Sequence, residues 1–373
     1  MKTYSIAAFC LILPVLFFST AAPAQTSAQS GSATPAAATA TVPAPVLTQF
    51  NYPYRSEPFN IFVIESYTVN RKGDPQAFYA WMSDAYEKSN LKYPGKESLP
   101  LDEFLNEQQR ELAAMADVTA KTKAELELAA WLHKLIKKVI PKFSLETGFE
   151  FCNTAACGER QCFLQSVLIA GLLQSMGVDG GTVMVYKNIR GEASNNGHAA
   201  VLVKLPDSRD VIVDASDPEP FQRQQGLFAF LYEGQYIFAD PVYENDAPTI
   251  IGYVAPWGGR PIERQRIRTM GNAFISSQFW YYRGERAPGG IFAPKKTGQG
   301  LSMSKNYLQT SVNLCPWNPL AVYMLGRVYW AEGDRKGARP LFERAAVLYE
   351  KYGMLPAGPD EYLKLSRSKK RKQ

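Results

Sequence analysis

The 373-residue chain is 46% hydrophobic and carries 41 Lys/Arg against 35 Asp/Glu, enough apolar material for a sizeable core and too much for a chain disordered throughout. Lys2 and the five basic residues of SRSKKRKQ, 366–373, account for the whole formal excess of +6, so the body between them is close to neutral. With no basic stripe left on the part expected to fold, nucleic-acid binding is excluded and the tail reads as a solvated terminus.

Lys2, an apolar run over 6–18 and the small-residue site Ala22-Pro23-Ala24 have the layout of a secretory signal peptide, residues 1–24. That run is shorter than the ~20 residues that span a bilayer, and no other apolar run reaches that length. An exported chain, periplasmic or secreted, without stable membrane insertion is therefore expected. Residues 25–46 are almost entirely Ala, Ser, Thr, Pro and Gln, which cannot bury enough apolar surface to order themselves, and form a disordered linker.

Export implies an oxidising compartment, in which Cys152, Cys157, Cys162 and Cys315 could pair in three ways. Cys152 and Cys157 are expected to pair with each other or stay free, and a Cys157–Cys162 bridge would mask Cys162 until reduced. A structural metal is disfavoured, because the chain has two histidines, His133 and His198, and its cysteine spacings of five exceed the usual ligand loops. No cofactor is expected either.

After the linker, FNIFVIESYTV (59–69) is rich in β-branched and aromatic residues and suggests a strand. Residues 74–90, 101–116 and 122–140 show helical spacing, the last closed by Pro141. Leu126, Ala129, Ala130, Leu132, Ile136 and Val139 are assigned to the buried face of that third helix, and His133, beside Lys134 and Lys137, to its solvent side. CGERQCFLQSVLIAGLLQSMG (157–177) then predicts a strongly apolar, buried helix opened by Cys162 and closed by Gly177. Strands follow over 181–187, 198–205 and 210–216, the last two joined by the turn residues PDSR. One buried helix against an antiparallel sheet is an α+β domain. LFAFLYEGQYIFADPVY suggests further strands, and 284–300 a turn-rich, exposed stretch.

Cys162 opens a helix whose free N–H groups and dipole favour a thiolate. His198, 36 residues on, is the residue type that takes a thiol proton and returns it to a leaving group. Asp214 ends the neighbouring strand, where a hairpin turned at 206–209 sets it opposite His198, placed to fix the ring's tautomer.

This order of Cys, His and Asp, with Cys162-Phe163 leading a helix that ends in Met176-Gly177, His198-Ala199 opening a strand and Val213-Asp214-Ala215-Ser216 closing another, resembles the transglutaminase-like branch of the papain-type cysteine hydrolases. The resemblance covers about residues 120–220, including the helix ending AAWLHKLIKKVI. It departs at Arg160, where a glycine is usual, and at Ala200, where an aromatic is usual. It implies a papain-type α+β fold, catalytic residues Cys162, His198 and Asp214, and acyl transfer from a peptide or side-chain carboxamide through a thioester. Hydrolysis, a peptidase or amidase activity, is expected over cross-linking to an amine. The alternative is an inactive scaffold of the same fold that binds a peptide or protein partner, which Arg160 beside the thiol favours.

Residues 318–353 resemble a tetratricopeptide repeat through Leu325-Gly326, Tyr329, Ala338, Phe342 and Ala345, with the upstream unit half kept at Leu308 and Pro316 and lacking its first helix. A lone repeat must pack on its own domain or on a partner protein. Cys315 at its entrance is expected to be buried. The expected organisation is a transglutaminase-like domain over 47–283, a helical module over 301–365 and a basic tail over 366–373.

Overall fold

A computed structural model of the chain describes residues 50–256 and 258–368. The expected signal peptide and linker, and the last five residues of the basic tail, lie outside the described residues.

Four helices come first: α1 (Glu57–Asn70), α2 (Gln76–Lys88), α3 (Leu101–Ala114) and α4 (Val118–Val139). The first corrects the strand expected over 59–69. Ser56 caps it by accepting from the Phe59 N–H, Pro58 sits in its first turn, and Phe59, Phe62, Val63, Ser66 and Tyr67 repeat at the 3–4 spacing of one buried helical face. Start signal and period here outweigh β-rich composition. α4 begins earlier than expected, where the Asp117 carboxylate accepts from the N–H groups of Thr119 and Ala120.

Its buried face also differs from the expectation. Leu128, Trp131, Leu135 and His133 are buried, while Leu126, Ala130 and Val139 are only half-buried. His133 is 1% exposed, so its solvent-side placement was wrong: it lies four residues after Ala129 and three before Ile136, on their own face.

Next come β1 (Lys142–Phe143), α5 (Phe151–Cys157), β2 (Glu159–Arg160), parallel to β1, and α6 (Cys162–Ser175). Every residue of α6 from Phe163 to Leu173 is buried, as a sequence apolar on all sides but for Gln165 and Ser166 requires, and Gly177 at φ 80° turns the chain out of it. At Gly171 a Cβ would meet the Phe59 ring at 2.8 Å, so the missing side chain lets α1 dock on α6.

The chain then forms β3 (Gly180–Lys187), β4 (Ala193–Lys204), β5 (Asp210–Val213), β6 (Gly226–Leu231), β7 (Gln235–Tyr243), β8 (Ile250–Val254), β9 (Pro261–Ile262) and β10 (Ile267–Arg268). The pairings among them are antiparallel in the order β10-β6-β3-β4-β5-β8-β7, and β6 also pairs β7, closing a ring of strands. Val183, Val185, Ala200, Leu202, Ile212 and Ala229 pack in one cluster inside the ring, and the intervening residues Met184, Ala199, Val201, Val213 and Phe228 join the main core with α6. Two buried faces explain why these strands lack a polar alternation.

Five helices finish the described chain: α7 (Asn272–Glu285), α8 (Gly298–Leu314), α9 (Pro319–Ala331), α10 (Arg335–Lys351) and α11 (Ala357–Arg367). The stretch over 284–300 is turn-rich as expected, yet Glu285 and Ile291 are buried in it. The α9–α10 hairpin packs on the strands: Phe238 N–H donates to Tyr352 O at 2.9 Å and the Tyr349 ring stacks on Phe238. α7 and α8 form a helix pair ahead of it, and residues 286–297, where the upstream unit's first helix would fall, are not helical. Among the described residues no helix is long and apolar enough to cross a membrane.

Candidate active site

Cys162 is the first residue of α6, preceded by Gln161 in extended conformation (φ −133°, ψ 160°), and its side chain is half-buried. Its N–H lies in the first turn, where amides have no intrahelical partner. α6 packs along β3 and β4, which brings its first turn to the end of β4 that carries His198.

The β4–β5 hairpin sets the other two residues, with a register different from that expected. Val201 pairs Val213 and Lys204 pairs Asp210, because the turn closes by Leu205 N–H donating to Arg209 O at 2.8 Å with Ser208 at φ 70°. The pairing is displaced by two residues, so Asp214 lies diagonal to His198 rather than opposite. A shift of two keeps both on the same face, and diagonal positions remain within reach of long side chains. His198 Nε2 meets Asp214 Oδ2 at 2.6 Å.

Asp214 is 1% exposed and its carboxylate is fully engaged. Beside His198, its Oδ2 accepts from Gln224 Nε2 at 2.8 Å, and its Oδ1 accepts from the Ser216 N–H at 3.0 Å. Gln224 is itself held by Tyr243, whose hydroxyl donates to the Gln224 carbonyl at 2.7 Å. With Nε2 committed to Asp214, Nδ1 is the ring nitrogen left for Cys162, the other group that raises the ring's pKa. Burial pulls the imidazole pKa down, but the negative charge of the sulfur and the bond to Asp214 outweigh it and push the value up to about 11. Burial first, then the Cys162 charge, holds the Tyr282 hydroxyl protonated well above the usual tyrosine range.

His133 backs the same site from α4. Its Nε2 contacts Asp217 O at 3.1 Å, and Lys137 Nζ donates to that carbonyl too, clamping the turn that follows Asp214. Burial lowers the His133 pKa, so the neutral ring is favoured there. Arg160 does not stand free at the thiol: its Nη1 donates to Gln165 Oε1 at 2.6 Å and to Ala215 O at 3.2 Å, tying α6 to the same turn.

The three residues chosen from sequence are thus brought together. Gln224, Tyr282 and His133 are additional neighbours that sequence reasoning missed. Gln224 follows Asp214 in a stretch without periodicity, and Tyr282 lies on α7, 120 residues from Cys162. His133 alone had a usable signal, its place on the apolar face of α4.

Of the two outcomes expected for Cys152 and Cys157, the structure has the unpaired one, and no Cys157–Cys162 bridge is formed. Cys152, Cys157, Cys162 and Cys315 are all free, Cys152 and Cys315 buried and Cys157 exposed. Cys152 and Cys157 both lie on α5, where residues five apart point roughly 140° away from each other around the axis and cannot bridge. Among the described residues no three His, Cys, Asp or Glu side chains group as a metal site would need. No protein-family model matches the chain, and no curated protein matches it.

Proposed function

We propose that the protein is an exported cysteine enzyme of transglutaminase-like type that attacks a peptide or side-chain carboxamide and hydrolyses it. The observation that carries this reading is the 2.6 Å bond from His198 to a buried Asp214, with the remaining face of the ring against a cysteine at the start of a buried helix. Few structural needs place those three groups in that order.

In the proposed reaction His198 Nδ1 already holds the Cys162 proton, and the thiolate Sγ bonds to the carbonyl carbon. The Cys162 N–H stabilises the developing oxyanion. Collapse expels the amine, which takes the proton from His198, and leaves a thioester. A water then gives its proton to His198 and its oxygen to the thioester carbon, and Sγ leaves as the thiolate, restoring the ion pair and freeing the carboxylic acid. Asp214 keeps Nε2–H directed inward and supports the positive ring, and Gln224 and Ser216 hold Asp214 in place. An amine in place of water would give cross-linking.

Alkylation tests this directly. Iodoacetamide at pH 6, followed by mass mapping, should modify Cys162 at least ~10-fold faster than the exposed Cys157, and His198→Ala should remove the difference. Equal rates at Cys157 and Cys162 in the wild-type protein would overturn the enzyme reading in favour of a peptide-binding scaffold.

A further inference from the structure

Arg160 lies two residues before Cys162, in β2, and its backbone is fixed from the outside. Phe143 of β1 pairs with it in parallel register, and the Ser144 N–H donates to its carbonyl at 2.9 Å. Gly148 packs on the same carbonyl so closely that a Cβ there would lie 2.4 Å from it, so the loop after β1 seats on Arg160 only as glycine. The side chain therefore starts from a defined origin.

From there one nitrogen bridges two elements. Nη1 donates to Gln165 Oε1 at 2.6 Å and to Ala215 O at 3.2 Å. Gln165, 0% exposed, stands three residues after Cys162 in α6, and Ala215 directly follows Asp214. Arg283 and Arg264 are each held by a carboxylate, Glu150 and Asp210 respectively. Among the described residues Arg160 has no such partner: burial lowers its pKa and no neighbouring charge offsets that. A half-buried cation without a counter-charge is unfavourable unless its donors are well used, and these two go to acceptors that flank the nucleophile and the aspartate.

We infer that Arg160 is a positioning residue of the site, locking the helix that carries the Cys162 thiol to the turn that follows Asp214. The inference rests on the reading of Cys162, His198 and Asp214 above. Apolar packing of α6 on the sheet is non-directional and sets the helix less finely than a directed hydrogen bond does, while reacting groups lose effectiveness over a displacement of about 1 Å. The tie runs from both sides of the nucleophile, residue 160 before it and Gln165 after it, to the hairpin end on which Asp214 holds His198. The arginine that departs from the resemblance is then a support of the site and not an obstruction.

Iodoacetamide labelling of Cys162 in the full chain, followed from pH 4 to pH 9, tests the tie, and the buried Cys152 and Cys315 stay unlabelled as long as the protein is folded. Arg160→Met should raise the pH at which labelling reaches half its plateau by about one unit and leave the plateau within about twofold of wild type, because a thiolate further from the imidazolium forms less readily. Gln165→Met keeps the arginine's charge and should raise that midpoint as much. The double variant should raise it no further than either, since both changes cut one link. If one single variant exposes Cys152 or Cys315 to the reagent, the other decides. An unmoved midpoint, an additive double variant or an equal slowing at every pH would overturn the tie and leave the enzyme reading standing. If wild-type Cys162 is labelled no faster than Cys157 at pH 6, that reading fails instead, and hydrogen exchange judges the tie: faster exchange over both 161–166 and 213–217 in Gln165→Met supports it, and a change in one segment alone, or in neither, overturns it.

Discussion

The β4–β5 hairpin carries a buried aspartate near each end, and the two have different consequences. At the turn end Asp210, 0% exposed, accepts from Lys204 Nζ at 3.3 Å, from Arg264 Nη1 and from the Tyr253 hydroxyl at 2.7 Å. At the open end Asp214 accepts from His198, Gln224 and the Ser216 amide. Both carboxylates are saturated. The partners of Asp210 are two cations and a phenol packed at the strand ring. The main partner of Asp214 is an imidazole whose side chain is still 30% exposed and whose other nitrogen faces a thiol. A buried, paired carboxylate is therefore no mark of a site by itself; the mark is a partner that can release its proton and a path for something to reach it.

Substitutions at the two aspartates should dissociate fold from chemistry, and the larger effect belongs to the sealed end. Asp210→Ala strands Lys204 and Arg264 without an anion and should cost about 3–5 kcal/mol in urea unfolding, while iodoacetamide labelling of Cys162 in the folded protein stays at the wild-type rate. Asp214→Asn keeps the shape of the side chain and should cost only about 1–2 kcal/mol, yet slow labelling of Cys162 on the order of 100-fold because the ring loses its charged support. The reverse pattern would break the comparison. Gln224→Leu sharpens it further, removing one of the bonds to Asp214 Oδ2 at similar volume. It should slow labelling about tenfold and leave the urea midpoint within about 1 kcal/mol of wild type.

How far the sequence reaches differs along the same lines. Cys162 and Asp214 were legible because each sits at an element boundary with a strong local signal, an apolar helix start and the end of a strand behind a Pro-Asp-Ser turn; His198, expected to open a strand, lies midway along β4, which begins five residues earlier at Ala193. The register of His198 against Asp214 was misjudged by two residues, since the turn's closing bond and the φ 70° of Ser208 leave no trace in composition, and the even shift kept both side chains on one face. α1 was misread because aromatic and β-branched residues serve a buried helix as well as a strand, although Ser56, Pro58 and the 3–4 spacing stood in the sequence. Gln224 reaches the site only through tertiary packing. Closure of the strands into a ring depends on the β6–β7 pairing in a stretch with weak signal.

The pH dependence tests the two histidines, one bonded to Asp214 and the other to the turn that follows it. Burial lowers the His133 pKa, against the opposing pull of the Asp217 carbonyl and with added repulsion from Lys137. For His198 burial acts the same way, but the Cys162 charge and Asp214 reverse it and carry the value to about 11. A folded value below the unfolded ~6.5 gives stability that is present above that pH and lost as the pH falls, whereas a folded value above it gives stability complete below ~6.5 and lost as the pH climbs toward 11. Thermal midpoints should therefore decline on both sides of about pH 6.5, more steeply on the alkaline side, where the His198 shift is the larger. His133→Gln should flatten the acid limb alone and His198→Gln the alkaline limb alone. An alkaline limb that survives in His198→Gln would mean that the sulfur and Asp214 do not hold the proton on that ring, and the contrast between the two ends of the hairpin would lose its electrostatic basis.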